Sequence, residues 1–188
     1  MGKMHAEGVT LLELMVTLAV VAVLMAVGIP AIGDLIATNR MSAAVNDLVS
    51  SLHLARSEAL KTGDRASVCA STNWDSAAPS CNGIDLSDGW IVFVDSITQN
   101  DDVDPGEAVV LTHQQLPDTI DLTAPQIVSF AASGALENPV PGEVDLLLCD
   151  SRADRDAGGG IAAGRWVQIS QTGRPRIFSK VDQVVCGP

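Results

Sequence analysis

The sequence predicts an α+β fold: one long N-terminal helix, membrane-like in its first half and amphipathic in its second, packed on an antiparallel β domain. Three observations carry this. From Leu14 to Ile32 every residue is apolar, Gly or Pro except Thr17. From Val45 to Ala59 apolar residues recur at every third or fourth position, the period of a helix with one buried stripe. From Arg65 onward that period gives way to short β-like runs separated by Gly, Pro, Asn and Asp. With 188 residues and no visible internal repeat, the chain supplies one globular core and excludes a solenoid.

The apolar run comes first. Nineteen helical residues rise by roughly 28 Å, the thickness of a hydrocarbon core. Glu13 stands at its edge, where an unpaired carboxylate costs up to about 2.5–3.5 kcal/mol at the bilayer centre and less at the interface. A secretory signal cut after Ala31-Ile32-Gly33 would have an overlong apolar core. A plain signal anchor explains the length but leaves Glu13 idle. A cut after Gly8, in AEGVTLLELMV, leaves the helix on a mature chain starting at Val9. The new amine, from the same chain or a neighbour, then gives Glu13 a partner.

Pro30 follows Gly28 inside the run and either ends the helix at Ile29 or bends it. Beyond it, Val45, Leu48, Leu52, Ala55 and Ala59 form the apolar stripe, with His53 off it as a solvent or interface residue. Lys61 and Gly63 read as last turn and C′ residue. Seven strand-like runs follow: RASVCAS, GWIVFVD, AVVLTHQ, IVSFAA, VDLLLCD, RWVQIS and RPRIF. A helix with one stripe, followed by strands, implies that the stripe covers a sheet.

All four cysteines lie after the apolar run, where they meet an oxidising compartment if that run takes the rest of the chain across a membrane, and none forms a C-x-x-C. Disulfides are expected rather than zinc. Sequence proximity pairs Cys69 with Cys81 and Cys149 with Cys186, although four cysteines permit three pairings.

Charge is unevenly distributed. The net charge is −12, and between Arg65 and Arg152 there are fourteen Asp or Glu and no Lys or Arg. Cations return near the end as Arg165, Arg174, Arg176 and Lys180. If extended, Arg174 and Arg176 share one face and form, with Lys180, a strip suited to phosphates or to acidic neighbours. Aromatics are scarce (three Phe, three Trp, no Tyr), which argues against a base-stacking platform. Asp101, Asp102, Asp104 and Glu107 in NDDVDPGE offer hard oxygen ligands that suit calcium. They lack the EF-hand spacing, and a solvated acidic loop is the preferred reading. GGGIAAGRW has P-loop glycine spacing but no Lys-Ser/Thr, and no nucleophile motif occurs. Neither an enzyme nor a cofactor is expected.

The AEGVTLLELMV stretch, with Thr10, Leu11, Glu13 and Pro30, resembles the class III signal of type IV pilins and type II secretion pseudopilins. NRMSAAVNDLVSSLHLARSEALKTG, SDGWIVFVD and ISQTGRPRI resemble the FimT/FimU/GspH group of minor pilins. The resemblance implies a leader over 1–8, a transmembrane assembly helix over 9–32, its amphipathic continuation over 33–64 and a β-rich head over 65–188. It implies processing between Gly8 and Val9 by a prepilin peptidase, with methylation, and assembly through Glu13. The head would lie in the periplasm, the helix in the inner membrane, and the chain would then enter an extracellular pilus. The implied function is that of a minor pilus subunit helping to prime assembly, for twitching motility or adhesion, with major and minor pilins as partners and no small-molecule substrate. Two rivals share the scaffold. One is a competence pilin that binds double-stranded DNA through Arg174, Arg176 and Lys180; the other is a GspH-type pseudopilin of type II secretion.

Overall fold

The computed structural model describes residues 10–138, 142–153 and 155–186, the side chains of 27–31 and 138 excepted, and among them are one α-helix, α1 (Leu11–Thr62), a short 3-10 helix (Leu86–Asp88) and nine strands. Helix α1 starts on Thr10. The Thr10 carbonyl accepts the Leu14 N–H at 3.1 Å, and Thr10 Oγ1 accepts the Glu13 N–H at 3.2 Å. Thr10 and Glu13 therefore stand as N-cap and N3 of a Thr-x-x-Glu start signal. The helix passes through Pro30, so it does not end at Ile29. It stops at Gly63, whose φ of +75° suits glycine and whose N–H bonds the Ala59 carbonyl at 3.0 Å.

The chain forms two compact units, one ending at Asn39 and one starting at Arg40. In the first, every side chain from Leu11 to Ala26 is exposed. Among the described residues, no helix is long and apolar enough to cross a membrane. The expected span over 9–32 includes Val9 and the side chains of 27–31, which lie outside the described residues, as does the leader with Gly8.

The second unit contains the core. Every buried hydrophobic side chain among the described residues lies between Met41 and Val184, so this unit has what it needs to fold alone. Its stripe on α1 is the expected one, with Val45, Leu48, Leu52, Ala55 and Ala59 all buried and Met41 and Ala44 extending it.

The strands form two antiparallel sheets rather than one. The first has the order β3-β2-β1-β5-β6: β1 (Arg65–Ala70), β2 (Trp90–Asp95), β3 (Val109–His113), β5 (Ile127–Phe130) and β6 (Leu136–Asn138). The second has the order β4-β7-β8-β9: β4 (Ile120–Thr123), β7 (Val144–Asp150), β8 (Ile161–Ile169) and β9 (Pro175–Lys180). Alternation along β7 and β8 sends Val144, Leu146, Leu148, Val167 and Ile169 into one core with the helix stripe and with Val68, Trp90, Val92 and Phe130 of the first sheet. Trp90 lies in that core and donates its Nε1–H to Ser51 Oγ at 2.9 Å, a polar tie from β2 to α1.

The first sheet is also covered on its far side. Cys69, Ile91 and Phe93 pack there against Trp74, Cys81 and Val103. The Cys69–Cys81 disulfide pins the intervening loop over this face. The second disulfide, Cys149–Cys186, fastens the C-terminal segment to the end of β7. No free cysteine occurs among the described residues. The closing segment crosses β8 at Gly164, where a Cβ would lie 2.6 Å from Cys186 Sγ and 2.9 Å from the Leu148 carbonyl oxygen.

Candidate functional site

Three regions carry the residues singled out by sequence. At the helix start, the exposed Glu13 carboxylate stands in the first turn of α1. A carboxylate in the first turn is favoured by the helix dipole, so this position suits a negative charge before any partner is considered.

The acidic loop between β2 and β3 does not gather its carboxylates. Glu107 Oε1 accepts the Ser96 and Ile97 N–H groups at 2.8 and 2.9 Å, and its Oε2 accepts that of Asp104 at 2.9 Å. Asp102 Oδ1 accepts the N–H groups of Val103 and Cys81 at 2.8 and 3.1 Å. Asp104 takes the Thr98 hydroxyl, and Asp101 pairs with the Arg65 guanidinium. Among the described residues, no three His, Cys, Asp or Glu come together as a metal site. The loop uses its carboxylates to hold its own backbone and Thr98, the Cys81 N–H and Arg65.

Arg65 fills the place a cation would take. Its Nε stands 3.5 Å from Asp95 Oδ2, opposite it across β1 and β2, and its other nitrogens reach the Gln99 carbonyl at 3.3 Å and Ser129 Oγ at 3.2 Å. Burial pushes the Asp95 carboxyl above its ordinary range, helped by Glu107 and Asp104 and opposed by Arg65.

The third region is the basic C-terminal strip. Pro175 opens β9, so Arg174 lies in the preceding turn, and the residues that alternate onto one face are Arg176, Phe178 and Lys180. This is the solvent face of the second sheet. Register places Phe178 opposite Trp166 and Arg176 opposite Gln168. The two aromatic rings stack with centroids 4.4 Å apart. Asp145 on β7 accepts from Trp166 Nε1 at 2.9 Å and from Gln168 Nε2 at 3.2 Å, fixing both side chains. Few as they are, the aromatics include this pair on the basic face, stacked on each other. Arg174, Arg176 and Lys180 are exposed, and among the described residues none has a side-chain hydrogen bond or ion pair. Arg165 does not belong to the strip: its buried guanidinium donates to backbone carbonyls, including Gly164 at 2.8 Å.

Sequence reading misses the joint that holds this strip. Arg56 on α1 donates Nε–H to the Gly134 carbonyl at 2.8 Å, a contact spanning 78 residues. Gly173, the first residue of the Gly-Arg-x-Arg stretch, is buried against the same carbonyl with φ +71°. A Cβ there would strike the Gly134 oxygen and lie 3.1 Å from both Arg56 Nε and Phe130 Cδ1. The LARSEALK helix segment and the basic hairpin therefore meet at one point. The sequence signal was present as an Arg beside the apolar stripe and a Gly opening the motif, but only the fold joins them.

His113 is a fourth feature without a sequence signature. Its ring stacks on Trp90 at 3.7 Å, with Nε2 3.5 Å from Asp47 Oδ2 on α1 and Nδ1 2.7 Å from the Gln114 carbonyl. It ties the edge of the first sheet to the helix. His53 is exposed.

Comparison with known proteins places this architecture. Two crystal structures of the type IV minor pilin FimU of Pseudomonas aeruginosa (strain PAO1) share the fold. One matches with TM-score 0.53 and 22% identity over 74% of this chain and 89% of that one. The other, in a second crystal form, matches with TM-score 0.50 and 21% identity over 73% and 91%. No curated protein matches by sequence. The prokaryotic N-terminal methylation motif matches residues 3–29. The model of the family described as type II transport protein GspH matches residues 44–173, from the buried helix stripe to the glycine of the basic hairpin; the chain belongs to the GspH family.

Proposed function

We propose that the chain is a minor subunit of a type IV pilus that is held in the inner membrane by α1, carries its head in the periplasm, and then enters the filament, where it helps to prime assembly. It is an interaction protein rather than an enzyme. The observation that carries this reading is α1. Its second half is built into the head core, whereas its first half exposes an apolar surface from Leu11, 77% exposed, to Met25, 58% exposed. Such a surface needs lipid or neighbouring helices to cover it. Glu13, the lone carboxylate there, supports recognition of a neighbour's N-terminal amine, and the methylation motif supports cleavage before Val9.

Mass spectrometry of membrane-extracted protein should find a mature N-terminus at N-methylated Val9. Glu13→Ala should leave the head folded and the helix inserted but deplete the chain from sheared pili. A mature chain starting at Asp34 refutes the reading. The description of the family favours a second one, a pseudopilin of type II secretion. Deleting the gene separates them, since loss of pili supports the first and loss of secreted enzymes with intact pili supports the second.

A further inference from the structure

The basic strip combines exposed charge, an ordered aromatic pair and an open strand edge. Its three cations are exposed and unpaired among the described residues, in a chain of net charge −12. Two of them, Arg176 and Lys180, flank Phe178 on its face of β9, and its ring stacks on Trp166; Trp and Arg are the residue types that anchor protein interfaces. Among the described residues β9 is an edge strand, and one row of its backbone groups has no neighbouring strand. Ile177, pointing to the other side of β9, is 47% exposed.

We propose that β9 receives an extended acidic segment from a neighbouring pilin-type subunit, added as a further strand. The inference rests on the filament-subunit reading above and names the chemistry of the partner. Arg176, Phe178 and Lys180 alternate on one face, and successive same-face positions on a strand lie roughly 6.6 Å apart. An added strand matches them with carboxylates at two positions four residues apart and an apolar side chain midway, an acid-x-apolar-x-acid pattern. This chain contains no such pattern: its one pair of acids at that spacing, Asp150 and Asp154, has Arg152 between them. The occupant is therefore a different subunit and not a second copy. Duplex DNA is the less favoured occupant. A body of net charge −12 repels a dense polyanion, and the aromatic rings are stacked on each other, with Asp145 fixing Trp166.

The probe is the blocked peptide Thr-Glu-Thr-Val-Thr-Glu-Thr, titrated into the head (residues 40–188), which owns its core, and followed by backbone amide NMR. The expected result is a set of shifts confined to residues 166–180. Binding should weaken at least tenfold in Arg176→Gln/Lys180→Gln and be absent for the same composition reordered as Thr-Glu-Glu-Thr-Val-Thr-Thr. No shift with the probe, equal binding of both peptides, or binding of a duplex DNA in place of the peptide overturns the proposal. In cells, the full-length double variant should be cleaved and inserted normally yet fall in sheared pili. Undiminished incorporation overturns the docking face while leaving the filament reading intact; absence of the wild-type chain from pili overturns both.

Discussion

Replacing Gly173 by Ala tests the joint that positions the basic hairpin. Two costs follow from the geometry. At φ +71° an alanine is strained by about 1–2 kcal/mol. Its Cβ would also drive the Gly134 carbonyl away, and that oxygen accepts the Arg56 Nε–H at 2.8 Å. A hydrogen bond from a charged donor contributes about 1.5–3 kcal/mol, so the total loss is about 2.5–5 kcal/mol. With a urea slope of about 1–3 kcal/mol/M, the unfolding midpoint of residues 40–188 should fall by about 1 M or more. The double-mutant cycle separates the two costs. In an Arg56→Ala background the hydrogen bond is already gone, and Gly173→Ala should cost only the strain of about 1–2 kcal/mol. A wild-type midpoint for Gly173→Ala, or strictly additive losses in the cycle, would show that the helix and the hairpin are not joined through Gly134.

Two further outcomes follow from the same structure. The disulfides close separations of 37 residues (Cys149–Cys186) and 12 residues (Cys69–Cys81), for which chain entropy predicts about 3.8 and about 2.8 kcal/mol. Cys149→Ser/Cys186→Ser should therefore lower the thermal midpoint more than Cys69→Ser/Cys81→Ser, and the reverse order would refute an entropic origin. Burial raises the Asp150 carboxyl, but the Arg152 side chain, its N–H and its charge outweigh burial and hold the group below its ordinary value of 3.8. The folded state then binds that proton less readily than the unfolded state, so the contribution is complete above pH 3.8 and lost as pH falls through the folded value. Asp150→Asn should be less stable than wild type at pH 6, and the gap should close on acidification in calorimetry. A gap that persists at pH 2 would assign the loss to packing instead.

Local features were legible in the sequence and non-local ones were not. The helix stripe could be read because a buried face repeats at 3.6 residues whatever it packs on, and Val45, Leu48, Leu52, Ala55 and Ala59 are all buried. Gly63 could be read because a helix end needs a left-handed residue. The strands β4 and β6 were missed: four and three residues long, they are too short for alternation to stand out, and Pro117 and Pro125 bracket the first. The division into two sheets depends on β1 pairing with β5 and β4 with β7, which no local pattern encodes. Arg56, Gly134 and Gly173 illustrate the same limit, as each is ordinary in its own segment and the three meet only after both sheets have closed.

Glu13 meets a local rule of helix formation at the position for which we propose a role in assembly. Thr10 Oγ1 accepting the Glu13 N–H makes Thr-x-x-Glu a helix start, a pattern visible in the sequence but obscured by the membrane question. This leaves room for the assembly role proposed above, because the Thr10 contact uses the Glu13 N–H and not its exposed carboxylate. If cleavage occurs before Val9, the mature amine falls next to the N-cap and its positive charge adds to that of the helix start. The Glu13 charge would then be favoured by both before any neighbour is met. Gln at this position would retain the N–H bond to Thr10 but lose the charge, which separates the helix start from recognition of the neighbour.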